Sequence, residues 1–263
     1  MGIRRIAVVV ITLLLTAILI SLPTGELFAE AGETMSMYLR KLVNATMLIG
    51  VATLLIAYDY FQTITDLHLW RIRNFKSTIP VLALVIVYLA FRIDDIIEAD
   101  LGPFDSIFVC SVVMVKACSE EMIFRAFLQS YFLRHQISPR HSIALSATLF
   151  SSLHIINYID HRDGFTLVAQ LIFSFFAGIL LGISFYRTRN ILFVTVLHGL
   201  INLPSNMLRF ANRTPESIET IRPTLLEELF GLLTYCLIYS PMILLAVYQY
   251  KNLTPDQPSK TLN

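Results

Sequence analysis

Charge is scarce in this 263-residue chain: Asp, Glu, Lys and Arg make up 15% of it, against about 25% in an ordinary soluble domain. Hydrophobic residues account for 56%, and the mean hydropathy is +0.67. A soluble core of this size has no room for that much apolar surface, so the bilayer must be the solvent for most of the chain. Neither sign of charge dominates. The net charge of +1 excludes the concentrated basic face that a nucleic-acid binder needs. Cysteine is equally sparse: Cys110, Cys118 and Cys236 are odd in number, widely spaced and set in apolar runs. That pattern supports neither a disulfide framework nor a zinc cluster. The sequence also lacks a low-complexity linker, an internal repeat, a G-x-S-x-G elbow and an H-E-x-x-H pair.

What it has is long apolar runs. A membrane-spanning helix needs about 20 largely apolar residues, and eight segments qualify as candidates: 6–23, 42–61, 79–93, 105–133, 142–158, 165–186, 190–207 and 226–249. The predicted fold class is therefore all-α, a polytopic integral-membrane helix bundle. Short loops make residues 1–263 a single integral-membrane domain. With the N-terminus inside, the inner loops hold eleven Lys and Arg and the outer loops seven. The positive-inside rule then places both termini in the cytoplasm and the chain in the cell membrane as a multi-pass protein. The first segment has a second reading: Arg4 and Arg5, an apolar run, then Ala29-Glu30-Ala31 resemble a signal peptide. The apolar run is long for that role, which favours an uncleaved helix.

Charges inside membrane helices are costly, at least about 2.5–3.5 kcal/mol each on insertion scales. The fourth segment carries four, in the run Lys116-Ala-Cys-Ser-Glu-Glu-Met-Ile-Phe-Arg125. Helical geometry pairs Glu121 with Arg125 and Lys116 with Glu120, four residues apart in each case. Glu120 and Arg125 differ by about 140° around the helix, so Arg125 neutralises Glu121 and leaves Glu120 pointing elsewhere. Two ion pairs lining a polar seam would explain one such helix. Two further helices carry polar groups: Phe150 and His154 share a face of the fifth segment, and His198 and Asn202 share a face of the seventh. At 1.5 Å per residue, Glu120, His154 and Asn202 lie roughly 18–20 Å from the cytoplasmic side, and His198 roughly 12 Å. Helices of different direction thus bring their polar groups to similar depth, as a shared buried site requires. His68, His135, His141 and His161 fall near helix ends or in loops, where solvated surface is the default reading.

These three clusters, in this order, resemble the CAAX protease and bacteriocin-processing (CPBP, or Abi) family of intramembrane endopeptidases. Glu120, Glu121 and Arg125 match its E-E-x-x-x-R motif, Phe150 and His154 its F-x-x-x-H, and His198 and Asn202 its H-x-x-x-N. Each motif alone is weak; all three in order, each in a hydrophobic segment, are specific. The resemblance covers about residues 105–207, the catalytic core it implies. It implies peptide-bond hydrolysis within the membrane, with Glu120 and His154 activating a water and His198 and Asn202 stabilising the oxyanion. Glu121, Arg125 and Phe150 would be supporting residues. The chemistry is coherent: a partly desolvated carboxylate suits general-base work, and an imidazole and amide one turn apart can converge on an oxyanion.

The expected partners are a membrane-embedded or lipidated peptide or protein and the lipid bilayer, with no nucleic acid. No cofactor is expected. Zinc is the alternative, since Glu120, His154 and His198 could serve as three ligands with water in the fourth position. Against it, Lys116 and Arg125 already bring two cations to the site, which makes it a poor host for a divalent third. The competing functional class is a proton- or ion-coupled transporter that uses the intramembrane Glu, His and Arg as a relay. The missing repeat counts against that class.

Overall fold

The computed structural model describes residues 33–63, 72–156, 164–212 and 239–253, with isolated positions between 11 and 18 and at 233 and 237. Among the described residues there are helices and no strands. We number the α-helices α1 (Glu33–Thr63), α2 (Ile79–Phe91), α3 (Ile93–Glu98), α4 (Pro103–Glu121), α5 (Ser130–Arg134), α6 (Pro139–Ser152), α7 (Gly164–Thr188), α8 (Ile191–Ala211) and α9 (Ser240–Lys251). A π-helical stretch, Met122–Gln129, joins α4 to α5, and a 3₁₀ turn, Leu153–Ile156, ends α6.

Most of the candidate span at 6–23 and residues 226–232, 234–236 and 238 of the last span lie outside the described residues, as do the Ala29-Glu30-Ala31 site, His68 and His161. Among the described residues two helical segments, Leu167–Thr188 and Ile191–Ala211, are long and apolar enough to cross a membrane. The helix α2 is apolar but only 13 residues long. The helix α4 carries Lys116, Glu120 and Glu121, and the π-helical stretch after it carries Arg125; these charges set the segment apart from α7 and α8.

Local chemistry fixes where the helices begin. Gly102 and Pro103 open α4, with Asp105 in its first turn, and Pro at the first helical position replaces a backbone donor that would have no partner there. Ser138 caps α6 by accepting from the His141 backbone N–H, again followed by proline. Asn190 caps α8, its Oδ1 accepting from the Phe193 N–H at 2.7 Å. Between α7 and α8 the chain reverses through Arg189, a left-handed residue at φ 54°, the conformation that commonly ends a helix.

The packing explains how these helices come close. Gly178 and Gly182 form a small-xxx-small stripe on α7, facing α6. A Cβ at Gly182 would meet Ile143 and Gln129 Oε1 at 3.0 Å, and one at Gly178 would meet Ala147 at 3.1 Å. Gly199 does the same for α8 against α4, where Met114 occupies the space a side chain would need. At one end of the molecule, Tyr38 of α1 donates its hydroxyl to the Asn206 carbonyl at 2.6 Å and stacks edge-on against Phe210. Ala99, Val109, Val112, Val113 and Met207 complete that cluster. At the other end, the Arg73 N–H bonds to the Thr188 carbonyl, Arg187 reaches the Ser77 carbonyl and Gln249, and Arg140 reaches the carbonyls of Lys251 and Leu253.

Candidate active site

The α4 segment departs from a plain helix where its charges sit. Sequence periodicity predicts one helix over 105–133; the structure has α-helix to Glu121, then eight π-helical residues, then α5. In the π form each amide reaches one residue further back, and such widened turns are frequent at functional sites. Here the wide turn follows the double glutamate directly. Residues 123–129 within it are all buried. Glu121, Arg125 and Gln129 recur at four-residue intervals, and each is 0% exposed.

That buried line is tied to its neighbours, although Arg125 Nη2 and Gln129 Oε1 have no hydrogen-bond partner among the described residues. Arg125 Nε lies 3.1 Å from Glu121 Oε2, the i, i+4 pairing expected from the sequence. Arg125 Nη1 donates to Ser146 Oγ at 3.1 Å, Ser146 donates to the Phe124 carbonyl at 2.6 Å, and the guanidinium sits 5.2 Å from the Phe150 ring centroid. Gln129 Nε2 donates to the Gly182 carbonyl at 2.9 Å, tying the π turn to α7. An ion pair removed from water holds only with such additional partners.

One turn nearer the start of α4 the second expected pair is present and far more open. Lys116 Nζ lies 3.6 Å from Glu120 Oε1, with the lysine side chain 49% exposed and the glutamate 14%. The two carboxylates are not as separate as the helical angles imply. His198 of α8 bridges them: its Nδ1 is 2.8 Å from Glu121 Oε1, and its Nε2 is 3.5 Å from Glu120 Oε2. An ionised carboxylate only accepts, so the short contact places a proton on Nδ1. Adjacent residues on α4 straddle the single imidazole that the close α4–α8 approach delivers.

Phe150 lies within this group. Its ring meets His198 edge-on at 5.6 Å, Phe124 at 5.3 Å and His154 at 5.2 Å. His154 falls on the 3₁₀ turn rather than on the α-helix expected to run to 158, because α6 tightens after Ser152. Its Nδ1 approaches the Phe150 carbonyl at 3.2 Å, which fixes the ring, and it lies within electrostatic reach of Glu120. Asn202 is placed one turn beyond His198 on α8, half-buried, its backbone carbonyl accepting from Asn206 Nδ2 at 2.8 Å. Among the described residues its side chain makes no bond to the cluster. The structure therefore gathers Glu120, Glu121, Arg125, Phe150, His154 and His198 from three helices, with Asn202 on the adjoining turn.

Ser146 is the partner that sequence reading passed over. Its signal was present, since Ser146, Phe150 and His154 recur every fourth residue along one face of the same segment. As for a metal, no three His, Cys, Asp or Glu side chains among the described residues are grouped as ligands. Lys116 and Arg125 each stand beside one of the two carboxylates.

An acid, two imidazoles and a fixed guanidinium at the junction of three apolar helices are equipped to move a proton and to hold a developing negative charge. No curated protein and no solved structure matches the chain. A family model does: residues 103–204 match the Rce1-like family, described as type II CAAX prenyl endopeptidase Rce1-like, so the stretch that carries all three motifs is similar to that endopeptidase family.

Proposed function

We propose that this protein is a glutamate-dependent intramembrane endopeptidase acting on a membrane-embedded or lipidated peptide. Two facts together support the reading: the peptidase-family match spans the three motifs, and Glu120, Glu121, Phe150 and His154 lie around the His198 ring or next to a residue that does. The match does not favour a relay transporter.

In this reading Glu120, assisted by His154, takes a proton from a water, which attacks the scissile carbonyl carbon. The carbonyl π electrons move to oxygen, and the resulting oxyanion is held by His198 and Asn202. Collapse of the tetrahedral species breaks the C–N bond, and the proton held by Glu120 passes to the leaving amine. Preorganised donors of this kind work best in a site from which water is largely excluded. Arg125 and Glu121 supply positioning: their buried pair orients Glu121, which fixes the His198 ring through Nδ1. We further propose that the reaction runs without a metal, on the ground that two cations already balance the carboxylates. The eight-span bundle with 105–207 as its core, both termini in the cytoplasm, completes the proposal.

The test is hydrolysis of a prenylated reporter peptide by the purified full-length chain in lipid, read by product mass. Cleavage that survives exhaustive chelation and disappears in Glu120→Gln is the expected result. Absence of cleavage by the wild type sinks the peptidase reading, and loss on chelation with recovery on zinc sinks the metal-free one.

A further inference from the structure

The end of the molecule away from Tyr38 gathers charge of one sign. Three segments meet there: the Arg73 N–H bonds to the Thr188 carbonyl at 3.1 Å, and Arg187 Nη1 donates to the Ser77 carbonyl at 3.1 Å and to Gln249 Oε1 at 2.8 Å. Residues 72–78, 186–190 and 249–253 together hold Arg73, Lys76, Arg187, Arg189 and Lys251, and no Asp or Glu. The apolar segment of α7 ends here at Thr188, and that of α8 begins at Ile191. In the proposed bundle this level is the membrane–water boundary on the cytoplasmic side.

A cavity of about 400 Å³ opens between these segments, within the size range of small-ligand sites, about 300–1,000 Å³. Its polar lining comes from Asn74, Lys76, Ser77, Tyr186 and Arg187, and no carboxylate lines it among the described residues. The two hydrogen bonds of Arg187 Nη1 fix the guanidinium at the wall, whereas Lys76 stands exposed. Two cations sharing a cavity repel unless an anion joins them. The surroundings say what kind of anion. Phe75 also lines the cavity and is exposed, as are Ile79 on the following turn and Leu192 at the start of α8. An anion that carries an apolar body would satisfy the cations and cover these side chains together, and the cytoplasmic leaflet is rich in such molecules.

We propose that this cavity binds the phosphate of an anionic phospholipid, with Lys76 and Arg187 as its cationic contacts and Asn74 and Ser77 facing the polar headgroup. The bound lipid would clamp the 3₁₀ turn Phe75–Thr78 to the end of α7. The site shares no residue with the Glu120–His198 cluster. It rests on the membrane placement and not on the peptidase chemistry, so lipid retention and cleavage are independent readouts.

The full-length chain is equilibrated with equal amounts of phosphatidylglycerol and phosphatidylcholine in detergent, and the lipid it retains is identified by native mass spectrometry. Charge-assisted hydrogen bonds to the phosphate of a lipid with no cation of its own should enrich phosphatidylglycerol by about tenfold. Lys76→Gln should lose most of that enrichment while melting like the wild type, and Lys76→Arg should keep it. Lys251→Gln changes a lysine at the same end that does not line the cavity, and should also keep it. Inorganic phosphate in excess should leave the lipid in place. Equal retention of the two lipids by the wild type overturns the proposal. So does an equal loss in Lys76→Gln and Lys251→Gln, which would assign the preference to diffuse surface charge. Displacement of the lipid by inorganic phosphate would assign the cavity to a soluble phosphate and overturns it as well.

Discussion

Two ion pairs of identical spacing lie on one helix, one turn apart, and they have opposite characters. Glu121–Arg125 is 0% exposed on both sides and is held by Ser146 and Phe150. Lys116–Glu120 is longer, at 3.6 Å, and its lysine is half-exposed. Sequence spacing cannot tell them apart; their surroundings can. The buried pair is a strut whose loss leaves a charge stranded in an apolar interior. The open pair leaves its carboxylate facing the imidazole of His198 and within electrostatic reach of His154. In the proposed mechanism the neighbouring glutamates divide the work of holding the site and running it.

Breaking the strut should have the largest effect on stability. Arg125→Ala strands the Glu121 carboxylate among buried groups and should cost about 3–5 kcal/mol, read as a lowered melting temperature and reduced accumulation, with activity falling alongside. A variant that melts like the wild type would erase the contrast between the two pairs.

On the open side the largest graded effect falls on the proposed oxyanion donor. Asn202→Ala should lower kcat by about 10²–10³ with KM and melting temperature little changed. Unaltered turnover would remove Asn202 from the chemistry.

The smallest stability effect belongs to the open pair itself. Lys116→Gln should shift stability by only about 0.3–0.5 kcal/mol, as for a solvent-screened i, i+4 pair. A loss approaching that of Arg125→Ala would mean that Lys116–Glu120 is also a strut.

Much of this was legible in the sequence. The i, i+4 arithmetic paired Glu121 with Arg125 and Lys116 with Glu120, and the cap residues Gly102, Ser138 and Asn190 stand directly before their helices. What spacing could not reveal depends on contacts between helices. The bridging of both glutamates by His198 follows from the close approach at Gly199. The GlyxxxGly stripe at Gly178 and Gly182, also present in the sequence, decides how near α7 comes to the π turn through Gln129. The π turn itself left no trace in periodicity, because residues 122–129 are largely apolar and would read as an α-helix equally well. His154 leaves the regular helix for the same kind of reason: a 3₁₀ tightening is a change of backbone pairing, not of residue pattern.

The division of labour between the two glutamates is the central claim, and a side-by-side comparison of Glu120→Gln and Glu121→Gln in lipid tests it most directly. Each variant is measured for cleavage of the prenylated reporter and for melting temperature. The account predicts that Glu120→Gln melts like the wild type and cleaves nothing, whereas Glu121→Gln melts well below it because Arg125 is left buried without its counter-ion. Near-normal cleavage by a folded Glu120→Gln, or equal loss of stability in both variants, would contradict it.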